Sequence, residues 1–563
     1  MADDDDTGTV AVVERKRWTP AALALVAYAG IAFLYFGLRI VLRGNGAYVG
    51  HGIDPQIFIW SFAWLPHAVL HGENPLITHA IWAPVGLNLT WTTSVPGLAV
   101  LFAPVTLLFG PLSAYNLAAT LMPALAAWTC FLLCHRLTGS FWAALVGGYL
   151  FGFSSYMLGE EVGHLHMTSV FLIPLIALAM MRRLQGEIGP RKLALQLGVL
   201  FLAQLLFSTE LLFTLSLAIV IALLVAYAAS PQLRTRIKAL VVPLAEAYLL
   251  VLVIASPFVY FAAKGFETRS INSPRSYTAD LLNFVLPTRL LFVDWQGAWQ
   301  VAERFPGNDS ERGAYLGLPI LVAVALFAKR QWRAPPARVL LLWLGVSVLA
   351  ELGAELHVAG RSVVRLPVSL VDQLPLLNNV LPVRIALFSS LITAVIVALV
   401  VASARSPWTR VVLPVLAVVA ILPRPGSHSW ITVAAQPRFI TDGLYRTCLD
   451  RGETLVVLPF GPEIDLMLWQ AQSDFWFRLA GGYLRPDVPP SFTRFRVVHP
   501  ELASSTTASD VDRFAGATGA GAVVVDQRHA DSWRSVLGDH PTSAGGVLLY
   551  PMPGTGYRRR SCP

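Results

Sequence analysis

Asp54 is the first residue along the chain whose type and setting could do chemistry. It lies in Gly50-His51-Gly52-Ile53-Asp54-Pro55-Gln56, where Gly52 permits a tight approach and Pro55 can start a helix. Two readings follow: Asp54 caps that helix, as Asp often does, or its carboxylate is free to accept a proton. A second charged group follows in Gly159-Glu160-Glu161-Val162-Gly163-His164-Leu165-His166. Ionisable side chains at the edge of apolar spans are costly and usually face a polar cavity; a turn wetted by water is the plainer alternative. His164 and His166, with Glu160 or Glu161, offer the ligand types of a divalent metal, although a His-x-His pair in a short loop is more often not a metal site.

Positive charge that could receive a phosphate is concentrated in 264–312, which carries Lys264, Arg269, Arg275, Arg289 and Arg304. Arg binds phosphate through two parallel hydrogen bonds and Lys as a point charge, while for any one of these residues a solvated loop charge is the simpler account. Arg384 follows Asn378-Asn379-Val380-Leu381-Pro382 and precedes a long apolar run. It either points into a cavity or anchors the end of a span by snorkelling.

The elements that must position these groups are membrane helices. The chain is 55% hydrophobic and only 13% charged, with a mean hydropathy of +0.59, and its apolar runs alternate with short Arg/Lys clusters, as a bundle in a bilayer requires. The net charge of +8 resides in those clusters rather than on one face, so it reads as topology signals and not as a nucleic-acid surface. Eleven spans are expected, near 21–41, 112–134, 141–157, 169–181, 193–207, 211–229, 240–263, 315–327, 339–350, 380–402 and 411–422. Residues 1–18, with Asp3 to Asp6 and then Arg15-Lys16-Arg17, read as an uncleaved cytoplasmic tail.

Alternating the spans from that start puts Arg136, the cluster from Arg182 to Lys192, Arg234 to Lys238, Lys329 to Arg333 and Arg405 to Arg410 inside. Asp54, Glu160 and the 264–312 segment then lie outside. The apolar run 96–109 is rejected as a crossing, because counting it would invert every later loop; broken by Pro96 and Pro104, it reads as interfacial or re-entrant. Residues 57–70 read as another interfacial helix, with Phe58, Trp60 and Trp64 suited to the headgroup region. From 424 to 563 the pattern changes to short β-branched strands, such as 454–459 and 521–526, and a small soluble α/β domain is expected. Cys130 and Cys134 fall in an apolar run, whereas Cys448 and Cys562 could pair if that domain is exported.

An acidic residue just after the first span, a long outer loop (42–111) with two interfacial helices, and Phe109-Gly110-Pro111 before the second span resemble the GT-C membrane glycosyltransferases, chiefly over the first 210 residues or so. The resemblance implies an α-helical polytopic fold over 19–423 with an extracytoplasmic α/β domain, in the plasma (inner) membrane of a bacterium. It implies transfer of a sugar from a polyprenyl-phosphate donor to a cell-envelope glycan, lipid or protein acceptor. Asp54 matches the first-loop catalytic acid, and Glu160 or Glu161 the supporting acid of the next loop. Many members carry paired acids in the first loop, whereas Asp54 has no acidic neighbour. Arg384, Lys264, Arg269 or Arg275 would hold the donor phosphate, with or without a divalent metal at His164, His166 and Glu161. A lipid transporter or flippase, or an inactive envelope-assembly protein of the same fold, are the competing readings.

Overall fold

The computed structural model describes residues 19–266, 273–461, 464–484, 488–552 and 562. The tail 1–18 and Arg269 lie outside the described residues. Among the described residues, eight helices are long and apolar enough to cross a membrane: Thr19–Arg43, Pro111–Thr138, Phe141–Glu160, Leu165–Leu184, Pro190–Phe207, Thr209–Ala229, Pro231–Ile254 and Pro382–Ala402. The protein is thus a multi-pass membrane protein, and these eight helices account for eight of the eleven spans expected. The three others are the helices Leu318–Gln331, with 14 residues, and Pro335–Glu351, with 17, and the short apolar helix Trp408–Ala420. At about 1.5 Å per residue each is shorter than the ~30 Å hydrocarbon core.

Small residues let the central helices touch. A Cβ at Gly148 would lie 2.5 Å from the Ala127 carbonyl oxygen, and one at Gly152 2.4 Å from the Ala127 nitrogen, so Pro111–Thr138 and Phe141–Gly152 meet backbone to backbone. Such contacts hold helices together where lipid removes any hydrophobic drive between them. Ala386–Ala402 is buried along nearly its whole length and forms the centre of the bundle.

The 96–109 run forms two helices, Pro96–Leu101 and Ala103–Phe109, neither long enough to cross. Leu107, Leu108 and Phe109 stay exposed, as suits a segment lying at the membrane edge. The other helix of this loop, Asp54–Leu70, corrects its expectation. Phe58, Trp60 and Trp64 are at most 3% exposed, because Phe58 stacks on His166 and the C-terminal region covers the two tryptophans. Trp60 Nε1 donates to Gln470 Oε1 at 2.7 Å, and Phe475 packs edge-on against both indoles.

That C-terminal region carries a five-stranded sheet in the order Thr542–Ala544, Val547–Pro551, Ala522–Asp526, Thr454–Leu458, Arg478–Leu479. The last three strands run parallel and the first two pair antiparallel. Cys448 and Cys562 form a disulfide, with Cα atoms 4.9 Å apart, while Cys130 and Cys134 are buried free thiols. A second, two-stranded ladder joins Ala47–Val49 to Ile431–Val433 and ties the first outer loop to the chain that leaves the bundle.

Candidate active site

The loop bearing Asp54 is held from three sides. Asn116 pairs with the backbone of Ala47 and Val49, Tyr115 donates to the Val49 carbonyl at 2.9 Å, and the Gly50 N–H reaches the Trp430 carbonyl at 3.0 Å. The tight approach occurs at Gly50 and not at Gly52. Gly50 has φ +95°, and a Cβ there would lie 2.4 Å from the Val162 carbonyl oxygen, whereas a Cβ at Gly52 would meet open space. The His51 N–H then donates to that same carbonyl at 2.6 Å, which brings the loop onto the turn that follows Glu160.

Asp54 does not cap its helix. Ile53 holds the cap position, without a side-chain hydrogen bond, and Asp54 is the first helical residue. Its carboxylate, 38% exposed, instead lies 3.3 Å from His164 Nε2. The other ring nitrogen, Nδ1, is 2.7 Å from Glu160 and 3.7 Å from Glu311. Burial opposes a charge on His164, but the hydrogen bonds with Asp54 and Glu160 and the nearby Glu311 outweigh it and push its pKa up to about 10. The imidazolium thus bridges Asp54 to a buried acidic group.

Behind it sits Arg384, only 10% exposed, with Nη1 at 2.7 Å from Glu210 and Nε at 3.1 and 3.3 Å from the two oxygens of Glu311. Glu160 lies at 3.9 Å from the same guanidinium. Burial works against the charge on Glu311, yet Arg384 and His164 prevail and hold it below the usual carboxylate range. Glu311 reaches this position because its turn packs on the short helix Ser155–Glu160. A Cβ at Gly159 would lie 2.6 Å from the Ser310 carbonyl oxygen, and one at Gly313 2.8 Å from Tyr156 Cα.

On the open side of Asp54 lies a cavity of about 860 Å³, lined by Asp54, His164, Arg289, Arg312, Arg424 and Tyr483 among others. Arg289 and Arg424 are about half exposed, each with one carboxylate partner, Asp309 and Asp294. Arg312 is tied down by the carbonyls of Glu303, Phe305 and Gly307.

Asp54, Glu160, His164 and Arg384 are therefore brought together and Arg289 lines the cavity beside them, while Glu161, His166, Lys264 and Arg275 lie apart from this set. Both oxygens of Glu161 and both ring nitrogens of His166 are buried without a hydrogen-bond partner, and burial pushes the Glu161 pKa well up. Among the described residues the group able to hold a metal ion is Glu160, His164 and Glu311, whose ligand atoms lie within 4.8 Å of one another. It replaces the expected Glu161 and His166. Lys264 rests over the Tyr260 ring at 4.5 Å, and Arg275 pairs with Asp372 at 2.9 Å; neither lines the cavity. Glu210, Glu311 and Arg424 escaped the reading of the sequence. The density of charge in Asn308-Asp309-Ser310-Glu311-Arg312 was the available signal.

Residues 24–423 match a family described as a domain of unknown function, DUF6311. The chain belongs to the DUF6311 family. No curated protein matches this DUF6311 chain. Its architecture is similar to the oligosaccharyltransferase of Archaeoglobus fulgidus in complex with Zn and sulfate, at TM-score 0.55 and 13% identity over 91% of this chain and 69% of that one. ArnT from Cupriavidus metallidurans bound to undecaprenyl phosphate aligns at TM-score 0.51 and 11% identity, covering 95% and 98% of the two chains. The arabinofuranosyltransferase AftD from Mycobacteria aligns at 0.56 and 15% over 94% of this chain, which spans only 41% of AftD. The fold of the DUF6311 chain is that of the GT-C glycosyltransferases.

Proposed function

We propose that this protein is a membrane glycosyltransferase that moves a sugar from a polyprenyl-phosphate donor to a cell-envelope glycan, lipid or protein acceptor, with Asp54 as general base. The observation that carries this reading is the position of Asp54. Its carboxylate is freed from capping, fixed by His164 and open to a cavity large enough for a sugar and an acceptor. The GT-C fold supports the same reading, as do the undecaprenyl phosphate bound by ArnT and the sulfate in the archaeal enzyme complex.

In the reaction, the Asp54 carboxylate takes the acceptor hydroxyl proton as the oxygen attacks the anomeric carbon. The bond from that carbon to the phosphate oxygen breaks, and polyprenyl phosphate leaves. General-base assistance is worth roughly 10²- to 10⁴-fold, and alignment of the two substrates in one cavity contributes much of the rest. His164 holds Asp54 in place. The donor phosphate falls to Arg289 and Arg424, which keep free surface in the cavity. Arg384, the sharper candidate in the sequence, has its guanidinium engaged by Glu210 and Glu311 and serves to hold those carboxylates together.

Glu160, His164 and Glu311 carry oxygen and nitrogen donors that suit a divalent cation; holding one would require His164 to give up the proton of the imidazolium bridge, so ion and bridge are alternatives at this place. Such an ion would supply positive charge to the buried carboxylates behind Asp54. With the three shorter helices counted as crossings, so that all eleven expected spans alternate, the basic clusters favour an N-terminus in the cytoplasm and 424–563 outside; the Cys448–Cys562 disulfide suits an oxidising, exported face.

The test is transfer by the purified protein in nanodiscs, using a panel of polyprenyl-phosphate sugars with envelope glycan acceptors. Wild type is expected to form a glycosylated product and Asp54→Asn, equally well inserted, to form none. Unchanged transfer by Asp54→Asn would overturn the assignment, and donor movement across the bilayer without a covalent product would indicate transport instead.

A further inference from the structure

Glu246 stands apart from the candidate active site. It belongs to the apolar helix Arg234–Ile254, within the candidate span Pro231–Ile254, eight residues beyond Lys238 and eight short of Ile254. At about 1.5 Å per residue that is ~12 Å from either point, well inside a hydrocarbon core of ~30 Å. Yet its side chain faces outward. Glu246 is exposed and, among the described residues, has no hydrogen-bond or ion-pair partner, while Ile237, Leu240 and Val251, on the far side of the helix, are buried. The other charged residues in the outward-facing parts of the eight spans lie near helix ends, at the cytoplasmic clusters or, as with Arg39 and Arg43, in the last turns of the first span.

Carboxyl groups at such depth are rare and normally turn toward the bundle interior or toward a partner, because an unsatisfied polar group in hydrocarbon costs several kcal/mol. The surface around Glu246 has the form of a helix-pairing seam. Ala239, Val242, Glu246, Leu249 and Val253 recur at spacings of three and four residues, the repeat by which two helices interlock. All five are exposed. Ala239, with Ala245 beside the seam, supplies the small side chains that allow close approach in a membrane.

We propose that this face pairs with the same face of a second copy of the chain, the two Glu246 carboxyl groups hydrogen-bonding across a two-fold axis normal to the membrane. A carboxyl group offers an O–H donor and a C=O acceptor, so it is complementary to itself. The two-fold axis brings both groups to the same depth without a further protein. Arg234, Arg236 and Lys238 of each copy remain at the cytoplasmic end of the seam, spread by the strongly hydrated surface there.

Cysteine crosslinking in native membranes tests this. Leu249→Cys, one turn from Glu246, is expected to give a disulfide-linked dimer on mild oxidation. Val220→Cys, exposed on the helix Thr209–Ala229, is expected to stay monomeric. Adding Glu246→Leu should cut the Leu249→Cys dimer about tenfold, while Glu246→Gln, which still donates and accepts, should retain it. Mass measurement of the wild-type protein in nanodiscs, which depends on no substitution, should show two copies. A single copy there, equal crosslinking at Val220→Cys, or adducts of Leu249→Cys with another membrane protein alone would each overturn the second-copy assignment.

Discussion

The two sides of His164 differ in how they treat charge. Toward Glu160, Glu311 and Arg384 the groups are at most 10% exposed and hold one another in a closed set of ion pairs and hydrogen bonds. Toward the cavity, Asp54, Arg289 and Arg424 are between about two-fifths and half exposed, each with few partners. The buried side spends its charges on geometry, since an unpaired ion there would be costly. The open side keeps groups that can meet a substrate. His164 joins the two, so that an exposed carboxylate is aimed by a rigid one.

The sharpest break of this contrast is Asp54→Asn, expected to lower transfer by roughly 10²-fold or more while the melting temperature falls only slightly, from loss of the charge facing His164; product formation and thermal unfolding, measured on the same preparation, check both halves. Next, Arg384→Met should act on stability, since removing one partner of a buried pair typically costs about 3–5 kcal/mol. It would appear as a lower melting temperature, partly restored by adding Glu311→Gln, which removes the orphaned charge. Arg424→Ala lies on the open side, where an exposed pair is worth about 0–1 kcal/mol. Its melting temperature should hardly move, while the KM for the donor rises about tenfold, as expected for loss of a charge-assisted phosphate contact.

The smallest expected effect is on pH dependence. His164 has a raised pKa in the folded protein, so its contribution to stability is fully present below about pH 6.5 and is lost as the pH rises toward about 10. Thermal unfolding of wild type and His164→Gln across that range should therefore converge at the alkaline end. A constant gap would mean that the imidazolium bridge does not form.

The bundle itself was legible from apolar runs and the basic clusters between them, because burial in hydrocarbon and the positive-inside bias are written locally. So was the cis-acting part of the site: Asp54, Glu160 and His164 lie in two short motifs whose charge is out of place beside apolar spans. The helix 54–70 shows where local reading stops. Its tryptophans suit a headgroup region equally well, and only the distant Gln470 and Phe475 make it a buried interface. Glu210 and Glu311 were missed for the same reason. Glu210 stands alone in an apolar stretch and Glu311 is one charge among several in 308–312, and each acquires its meaning from Arg384, which lies 174 and 73 residues away in sequence.

Sequence alone thus determined that the protein lives in a membrane, and it singled out Asp54, through patterns that span a few turns of helix. Tertiary structure decided what Asp54 faces. The close approach of Gly50 to Val162 and of Gly159 to Ser310 joins three of the five separate stretches of chain whose charges meet here, and Arg384 and Glu210 complete the set. Their burial and pairing depend on that convergence, which no local pattern of residues encodes.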